Sequence, residues 1–301
     1  MGLATGYMAH FLATNWLELT VACLVVVLIR LAVRRSARYK SYLSSSNDRP
    51  KKVIRKITVC APSEAEEDSQ TSNMVDPLWP EDLKQIPFTF NSLSKEESIK
   101  KSQDFYDLMK QRRTIRFFSS APVPREVIEN VIKAAGTAPS GAHTEPWTFV
   151  AVCDPNVKQE LRTIVETEEE INYTKRMGKE WVRDLKGFQT NWVKEYLTVA
   201  PWLILVFKQT YGLLPDGRRR NHYYNEISTG LASGILLSAI HASGLTTLTS
   251  TPLNCGPALR LLLQRPPNEK LVLLLPVGYP APDATVPELH RKPIDQIMTV
   301  V

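Results

Sequence analysis

Arg112-Arg113-Thr114-Ile115-Arg116 sets three guanidinium groups within five residues. One helix and turn later, Pro139-Ser140-Gly141-Ala142-His143-Thr144-Glu145-Pro146-Trp147 forms a small-residue loop that ends in Pro and Trp. Guanidinium forks match the geometry of phosphate oxygens and stay charged at any working pH. A loop built on Ser, Gly and Ala presents backbone N–H groups with no bulky side chains in the way. Placed around one ligand, the two segments suit an anionic group joined to a flat polar ring, a description that flavin mononucleotide (FMN) meets. From spacing alone a plainer role stays open to the arginines, as a solvated face or as charge complement at the end of the preceding helix.

A second set of residues lies further along. Glu169 and Tyr173 are four apart, so on a helix they share a face, and Lys194 follows in Asn191-Trp192-Val193-Lys194, which is expected to be helical. A carboxylate, a phenol and an ammonium brought together can pair with the amino group, ring edge and carboxylate of a zwitterionic amino acid. Taken alone, Glu168-Glu169-Glu170 is a charge run, and such runs are usually solvated. Thr249-Ser250-Thr251-Pro252 is a hydroxyl-rich strand end and by itself only a turn signal. Cys23, Cys60, Cys153 and Cys255 stand far apart with no Cys-x-x-Cys pair, so no metal site is expected, and Cys23, Cys153 and Cys255 read as small buried hydrophobes. His143, His222 and His241 are widely separated and receive no metal or acid–base role; His241 reads as a satisfied core residue.

The elements that must position these groups follow from periodicity. Residues 95–110 carry a helical pattern with Phe105, Leu108 and Met109 on one side, and Pro124 opens a helix through Ala134. Trp147–Val152 reads as a strand, and Asp154-Pro155 ends it and starts another helix. Residues 168–198 read as one or two long charged helices, 202–208 as a strand, and 225–243 as a nearly apolar helix. Gly230, Ala232, Gly234, Ser238 and Ala242 on that helix would allow close helix packing. A strand at 245–249, a helix at 257–263 and a strand at 270–277 complete the core. Strands interleaved with helices make the chain α/β or α+β.

The chain of 301 residues is long enough for one substantial domain with appendages. Its net charge of +6 is concentrated: residues 1–58 hold ten Lys and Arg against two acids, leaving 27 basic and 29 acidic residues beyond them. The near-neutral remainder lacks the basic face that nucleic-acid binding needs. Behind a short segment 1–16, residues 17–33 (LELTVACLVVVLIRLAV) form a mostly apolar run with Arg34, Arg35, Arg38 and Lys40 after it. Charge after the run rather than before it favours a retained single-pass transmembrane anchor over a cleaved signal, and places the rest on the cytosolic side; the membrane of residence, plasma membrane or cytoplasmic vesicle, is not fixed by the charge pattern. Residues 34–76, charged and poor in aromatics, read as a flexible stalk, leaving 77–301 as the catalytic domain.

The stretch QRRTIRFFSSAPVPREVIENVIKAAGTAPSGAHTEPWTFVAV resembles the opening of the nitroreductase-fold flavoenzymes. The similarity, narrowed to the deiodinase branch of that family, runs from about Pro77 to the C-terminus. It implies an α+β fold, a central mixed sheet flanked by helices in a domain-exchanged homodimer, with FMN as cofactor. By this resemblance Arg112, Arg113, Thr114, Ile115 and Arg116 fall where the phosphate and the N1/O2 edge of the ring are held, and Pro139, Ser140 and Gly141 match the loop against the ring. Thr249, Ser250 and Thr251 fall opposite N5, with Thr251 as the catalytic side chain that bonds it and favours transfer of electrons one at a time. Arg291 resembles a last phosphate-contacting arginine, arriving from the partner subunit.

ETEEEINYTKRMGKEW and TNWVKEYL match the lid of the deiodinase branch, which assigns Glu169, Tyr173 and Lys194 to the substrate, with the Ala142 N–H on its phenolate. General nitroreductases lack this trio. The implied activity is reductive removal of iodide from mono- and diiodotyrosine, with NADPH as the electron source directly or through a reductase. No Gly-rich dinucleotide fingerprint is present. Two rival readings remain, a general NAD(P)H-dependent nitro- or quinone reductase of the same fold and a non-enzymatic, membrane-tethered flavin-binding scaffold.

Overall fold

The computed structural model describes residues 77–188 and 190–301. The short segment 1–16, the expected anchor at 17–33 and the stalk at 34–76 lie outside the described residues. Among the described residues no helix is long and apolar enough to cross a membrane.

The most apolar segments form the centre. Strand β2 (Trp202–Gln209) pairs antiparallel with β1 (Trp147–Val152) on one side and with β6 (Glu269–Gly278) on the other, and β6 also carries the two-residue β5 (Thr246–Thr247). The sheet order is therefore β1-β2-β6-β5. Thr114 adds a parallel bridge to Thr247, which makes the sheet mixed and hangs the arginine segment on its edge.

Successive side chains of a strand point to opposite faces, and β2 divides accordingly. Ile204 and Val206 pack with Leu275 and Val277 against Ile128, Val131 and Ala135 of α2 (Arg125–Ala135) and Leu236 and Ile240 of α6 (Asn225–Ala242). Leu203, Leu205 and Phe207 face Leu161 and Val165 of α3 (Pro155–Ile171), Leu197 of α5 (Tyr196–Val199), and Cys255 and Leu259 beside or on α7 (Gly256–Leu262). Burying each such side chain contributes about 1.5–3 kcal/mol, so the sheet is a rigid platform covered on both faces. This is the α+β arrangement expected from the sequence.

The helix starts are chemically explicit. Ser94 and Glu97 form a reciprocal capping box on α1 (Lys95–Lys110). Asp154 accepts from the N–H groups of Asn156 and Val157 at the start of α3, with Pro155 as the first residue.

Three expectations need correction. The long charged helices at 168–198 are broken: α3 ends at Ile171, a π-helical turn covers Asn172–Arg176, Gly178 opens the short α4 (Lys179–Lys186), and Lys194 lies in the loop before α5. Gly178 and Gly187 bound α4 at its two ends, where glycine's conformational freedom disfavours continued helix. The strand at 245–249 shrinks to β5, after which Leu248 turns inward and Ser250 makes its own bridge to Leu274. A hairpin of β3 (Tyr211–Leu213) and β4 (Arg219–Asn221) is present where no strand was expected, since its residues do not alternate between apolar and polar. Apart from these, Gly230 and Gly234 of α6 lie on an open face beside exposed Ile227 and Leu231.

Candidate functional site

The chain leaves α1 in extended form. The Ile115 N–H donates to Thr247 O at 3.2 Å and its side chain is buried, so alternation turns Thr114 and Arg116 the other way. The C-terminal tail runs back beside this segment: Ser119 N–H donates to Tyr279 O and Ala281 N–H to Phe117 O. Arg113 Nη2 donates to Pro287 O, and Arg291 Nη2 donates to Arg112 O at 2.8 Å. Burial first, and the charge of Arg291 second, lower the pKa of Arg112. Among the described residues no carboxylate pairs with Arg112, Arg113, Arg116 or Arg291. Cations gathered without a counter-charge form a donor set suited to a phosphate. Within the chain, Arg291 reaches the cluster through that bond to Arg112 O.

The loop after α2 holds its form through side chains. Ala142, His143 and Glu145 have φ of 51°, 54° and 45°, a strained region for non-glycine residues that costs on the order of 1–3 kcal/mol each. Three contacts hold it: Ser140 Oγ accepts the Glu145 N–H at 3.0 Å, Thr144 Oγ1 donates to Gly141 O at 2.8 Å, and Trp79 Nε1 donates to Ala142 O at 3.0 Å. A Cβ on Gly141 would lie 2.8 Å from Tyr223 O, so only glycine fits this approach. The Ala142 N–H has no acceptor among the described residues, which leaves it available to a ligand, while Pro139 is exposed beside it.

Glu169 sits in the last turn of α3 and Tyr173 in the π-helical turn after it. Glu169 and Lys194 are 7% and 5% exposed, and Lys194 Nζ lies 3.8 Å from Glu169 Oε2. Lys194 Nζ also donates to Asn191 O and sits 5.4 Å from the centre of the Tyr173 ring. The Lys194 N–H donates to Glu166 Oε1 at 2.6 Å, and that oxygen also accepts from Arg162 Nε at 2.8 Å, which fixes the loop on α3. Burial lowers the pKa of Lys194; Glu169 opposes that shift and Arg116 reinforces it. Burial likewise raises the pKa of Tyr173, with Arg116 pulling it down. Arg116 therefore lies within electrostatic reach of the trio, and the two sequence clusters converge on one site. Beside it a cleft of about 280 Å³ is lined by Arg116, Phe117, Gly187, Phe188 and residues 285–287.

Ser250 is pinned to β6 by exchanging both backbone hydrogen bonds with Leu274, at 3.1 and 2.8 Å, and leaves Thr249 and Thr251 exposed on either side. Its hydroxyl bonds the hydroxyl of Tyr196, whose pKa is raised mainly by burial and also feels Arg116 and Glu169. Neither Tyr196 nor Asn172 was singled out from the sequence. The one signal for Tyr196 is its place two residues after Lys194. Cys255 is buried and its thiol is pushed up to about 12, chiefly by burial, which suits an inert core residue; Cys153, expected to be buried, is exposed at the end of β1. His241 bonds Leu108 O at 2.8 Å, as a satisfied core histidine.

Comparison with known proteins adds three findings. A model described as the nitroreductase family matches residues 109–279. An iodotyrosine deiodinase of Danio rerio is 51% identical over 297 residues, 98% of this chain and 100% of its own length, and iodotyrosine deiodinase 1 of Homo sapiens is 61% identical over 221 residues, 73% of this chain and 76% of its own. A crystal structure of oxidized iodotyrosine deiodinase bound to FMN and 3-iodo-L-tyrosine superposes with a TM-score of 0.57 at 31% identity, covering 65% of this chain and 100% of that one.

Proposed function

The chain belongs to the nitroreductase family and, within it, to the iodotyrosine deiodinases, and on that premise we propose that it is an FMN-dependent oxidoreductase that converts mono- and diiodotyrosine to tyrosine and iodide. The observation that carries this reading is the buried Glu169–Lys194 pair beside Tyr173 and within reach of Arg116. A pair of buried opposite charges held 3.8 Å apart is too long for an ideal salt bridge, and it offers each end of a zwitterion a partner of opposite sign.

Replacing iodide by hydrogen consumes two electrons and one proton for each carbon–iodine bond. Bound FMN supplies the electrons. Arg112, Arg113 and Arg291, with the Thr114 hydroxyl, would hold its phosphate; Ile115 carries the strand-like backbone that positions them. Arg116, Pro139, Ser140 and Gly141 would flank the ring, and Thr249, Ser250 and Thr251 would bring hydroxyls to its far edge. Ala142 offers its N–H to the substrate phenolate, Glu169 accepts from the ammonium, Lys194 donates to the carboxylate, and Tyr173 and Trp192, their rings 6.2 Å apart, shield the pair from water. Binding energy from the amino-acid end orders groups at the distant reacting carbon.

We extend the proposal to the surroundings of the site. The open α6 face with Ile227 and Leu231, and exposed Ile99 and Phe105 on α1, support a homodimer. The apolar run at 17–33 supports a membrane anchor with the catalytic domain 77–301 facing the cytosol, where NADPH is the ultimate electron source. The test is anaerobic reduction of the FMN-loaded protein with dithionite followed by diiodotyrosine: iodide release is expected, and reoxidation by a nitroaromatic but not by diiodotyrosine would overturn the assignment.

A further inference from the structure

Asn172 makes four hydrogen bonds through its side chain. It is 1% exposed and opens the π-helical turn between Glu169 and Tyr173. Its Nδ2 donates to Glu169 Oε1 at 3.1 Å and to Leu253 O at 3.2 Å, while its Oδ1 accepts from Asn254 Nδ2 at 3.2 Å and from Arg176 Nη1 at 3.0 Å. Arg176 is held in turn by Glu168 at 2.8 Å. A primary amide can serve as donor and acceptor at once; here two of the four bonds stay within the turn, to Glu169 and Arg176, and two cross to a segment 81 and 82 residues further along the chain. The turn carries Glu169 and Tyr173. The segment is 249–254, in which Thr251 lies two residues before the Leu253 carbonyl.

The receiving segment is poised rather than locked. Ser250 is tied to Leu274 and Cys255 is buried, so between these anchors the backbone of Thr251–Asn254 has few ties of its own. Asn254 holds φ at 65°, and its side chain is spent on Asn172. A π-helical turn is a local departure from regular helix that occurs mostly at functional sites, and Asn172, still helical at φ -60° and ψ -53°, carries the buried stripe of Leu161, Val165 and Glu169 into it.

We propose that Asn172 is a positioning residue that couples occupation of the Glu169/Lys194 subsite to the placement of Thr251 against the ring of the cofactor. An ammonium drawing on Glu169 Oε2 leaves Oε1 to Asn172, and any movement of the carboxylate is passed through the Asn172 amide to the Leu253 carbonyl and the Asn254 side chain. The inference rests on the proposed function, since it needs both an amino-acid ligand and a bound flavin.

The test uses the FMN-loaded chain, with tyrosine as a ligand that has no halogen to lose. Two quantities are read: quenching of flavin fluorescence, which gives ligand affinity, and the flavin reduction potential with and without ligand. In the wild type, ligand binding shifts the potential. Asn172→Ala is expected to weaken tyrosine binding about tenfold, as loss of one or two hydrogen bonds to a charged or backbone acceptor implies, and to abolish the ligand-induced shift at saturating ligand while FMN stays bound. Asn254→Gly keeps the Asn172–Glu169 bond and suits a positive φ, so it should fold even if the first variant does not, bind tyrosine as the wild type does, and show a smaller shift. A full ligand-induced shift in either variant overturns the coupling. Absence of ligand quenching and of any shift in the wild type overturns the proposed function and the coupling with it.

Discussion

Replacing Glu169 by Gln isolates one charge. The amide keeps an oxygen for the Asn172 Nδ2, now at 3.1 Å, and nearly the same volume, so the turn should hold its shape. What disappears is the negative charge 3.8 Å from Lys194 Nζ in a site where both side chains are over nine-tenths buried. At that distance and an effective permittivity near 20, two unit charges interact by about 4 kcal/mol, and breaking one side of a buried pair costs about 3–5 kcal/mol. The empty protein meets part of this by letting Lys194 release its proton more easily, since Glu169 is the leading influence holding its pKa up. The liganded protein has no such escape, because the ligand ammonium also loses its acceptor. Affinity for diiodotyrosine should fall by about 10²- to 10³-fold, at roughly 1.4 kcal/mol per factor of ten, while FMN affinity is unchanged. Titrating flavin fluorescence with ligand, after checking flavin content by absorbance, measures both. A loss below about threefold would be within the range of an exposed ion pair and would refute the zwitterion assignment.

Arg112→Ala removes one of three clustered cations and relieves repulsion from Arg291, so the empty protein should be no less stable, yet FMN affinity should fall about tenfold or more; flavin retained through gel filtration is the readout. Lys194 titrates below its usual 10.5, so between its folded and unfolded values the unfolded chain binds more protons and stability rises with pH. Ligand affinity should fall through that same window as the ammonium is lost, and Lys194→Arg should push the decline to higher pH; parallel thermal melts and ligand titrations across the alkaline range check both signs. Gly141→Ala forces a Cβ to 2.8 Å from Tyr223 O, so the loop must move and turnover should drop about 10²-fold with circular dichroism unchanged, as measured by iodide release.

What could be read from the sequence was what local chemistry declares. Helix α1 shows its helical pattern, β1 its apolar run and its Asp-Pro terminator, and the apolar strands β2 and β6 their burial, so the platform was legible. The arginine segment was legible as a cluster, but its attachment to Thr247 and its reach to Lys194 are tertiary facts between residues over 70 apart. The lid was read as one or two long helices because no breaker but glycine interrupts its charged run, and the observed turn is braced by the bonds of Asn172 to Leu253 and Asn254. Tyr196 carried no marker either: a tyrosine on a short helix becomes noteworthy only when its hydroxyl meets Ser250 from another part of the chain.

The charges of the site explain why one ligand class fits and its neighbours do not. Arg116 and Lys194 supply two positive charges against the carboxylate of Glu169, Glu166 beside them being paired with Arg162, and burial already depresses Lys194. An uncharged nitroaromatic would leave this imbalance untouched and would bury the Glu169–Lys194 pair with nothing to satisfy either end. A tyrosine zwitterion satisfies both ends but leaves the excess positive charge. A ring halogen beside the phenol acidifies it, and the phenolate brings the one further negative charge the site lacks, opposite the unengaged Ala142 N–H. Discrimination of iodotyrosine from its own product should therefore weaken as pH falls and the phenolate is protonated, and the ratio of the two affinities across pH tests that reasoning: a ratio that stays constant would place recognition of iodine in packing rather than in charge.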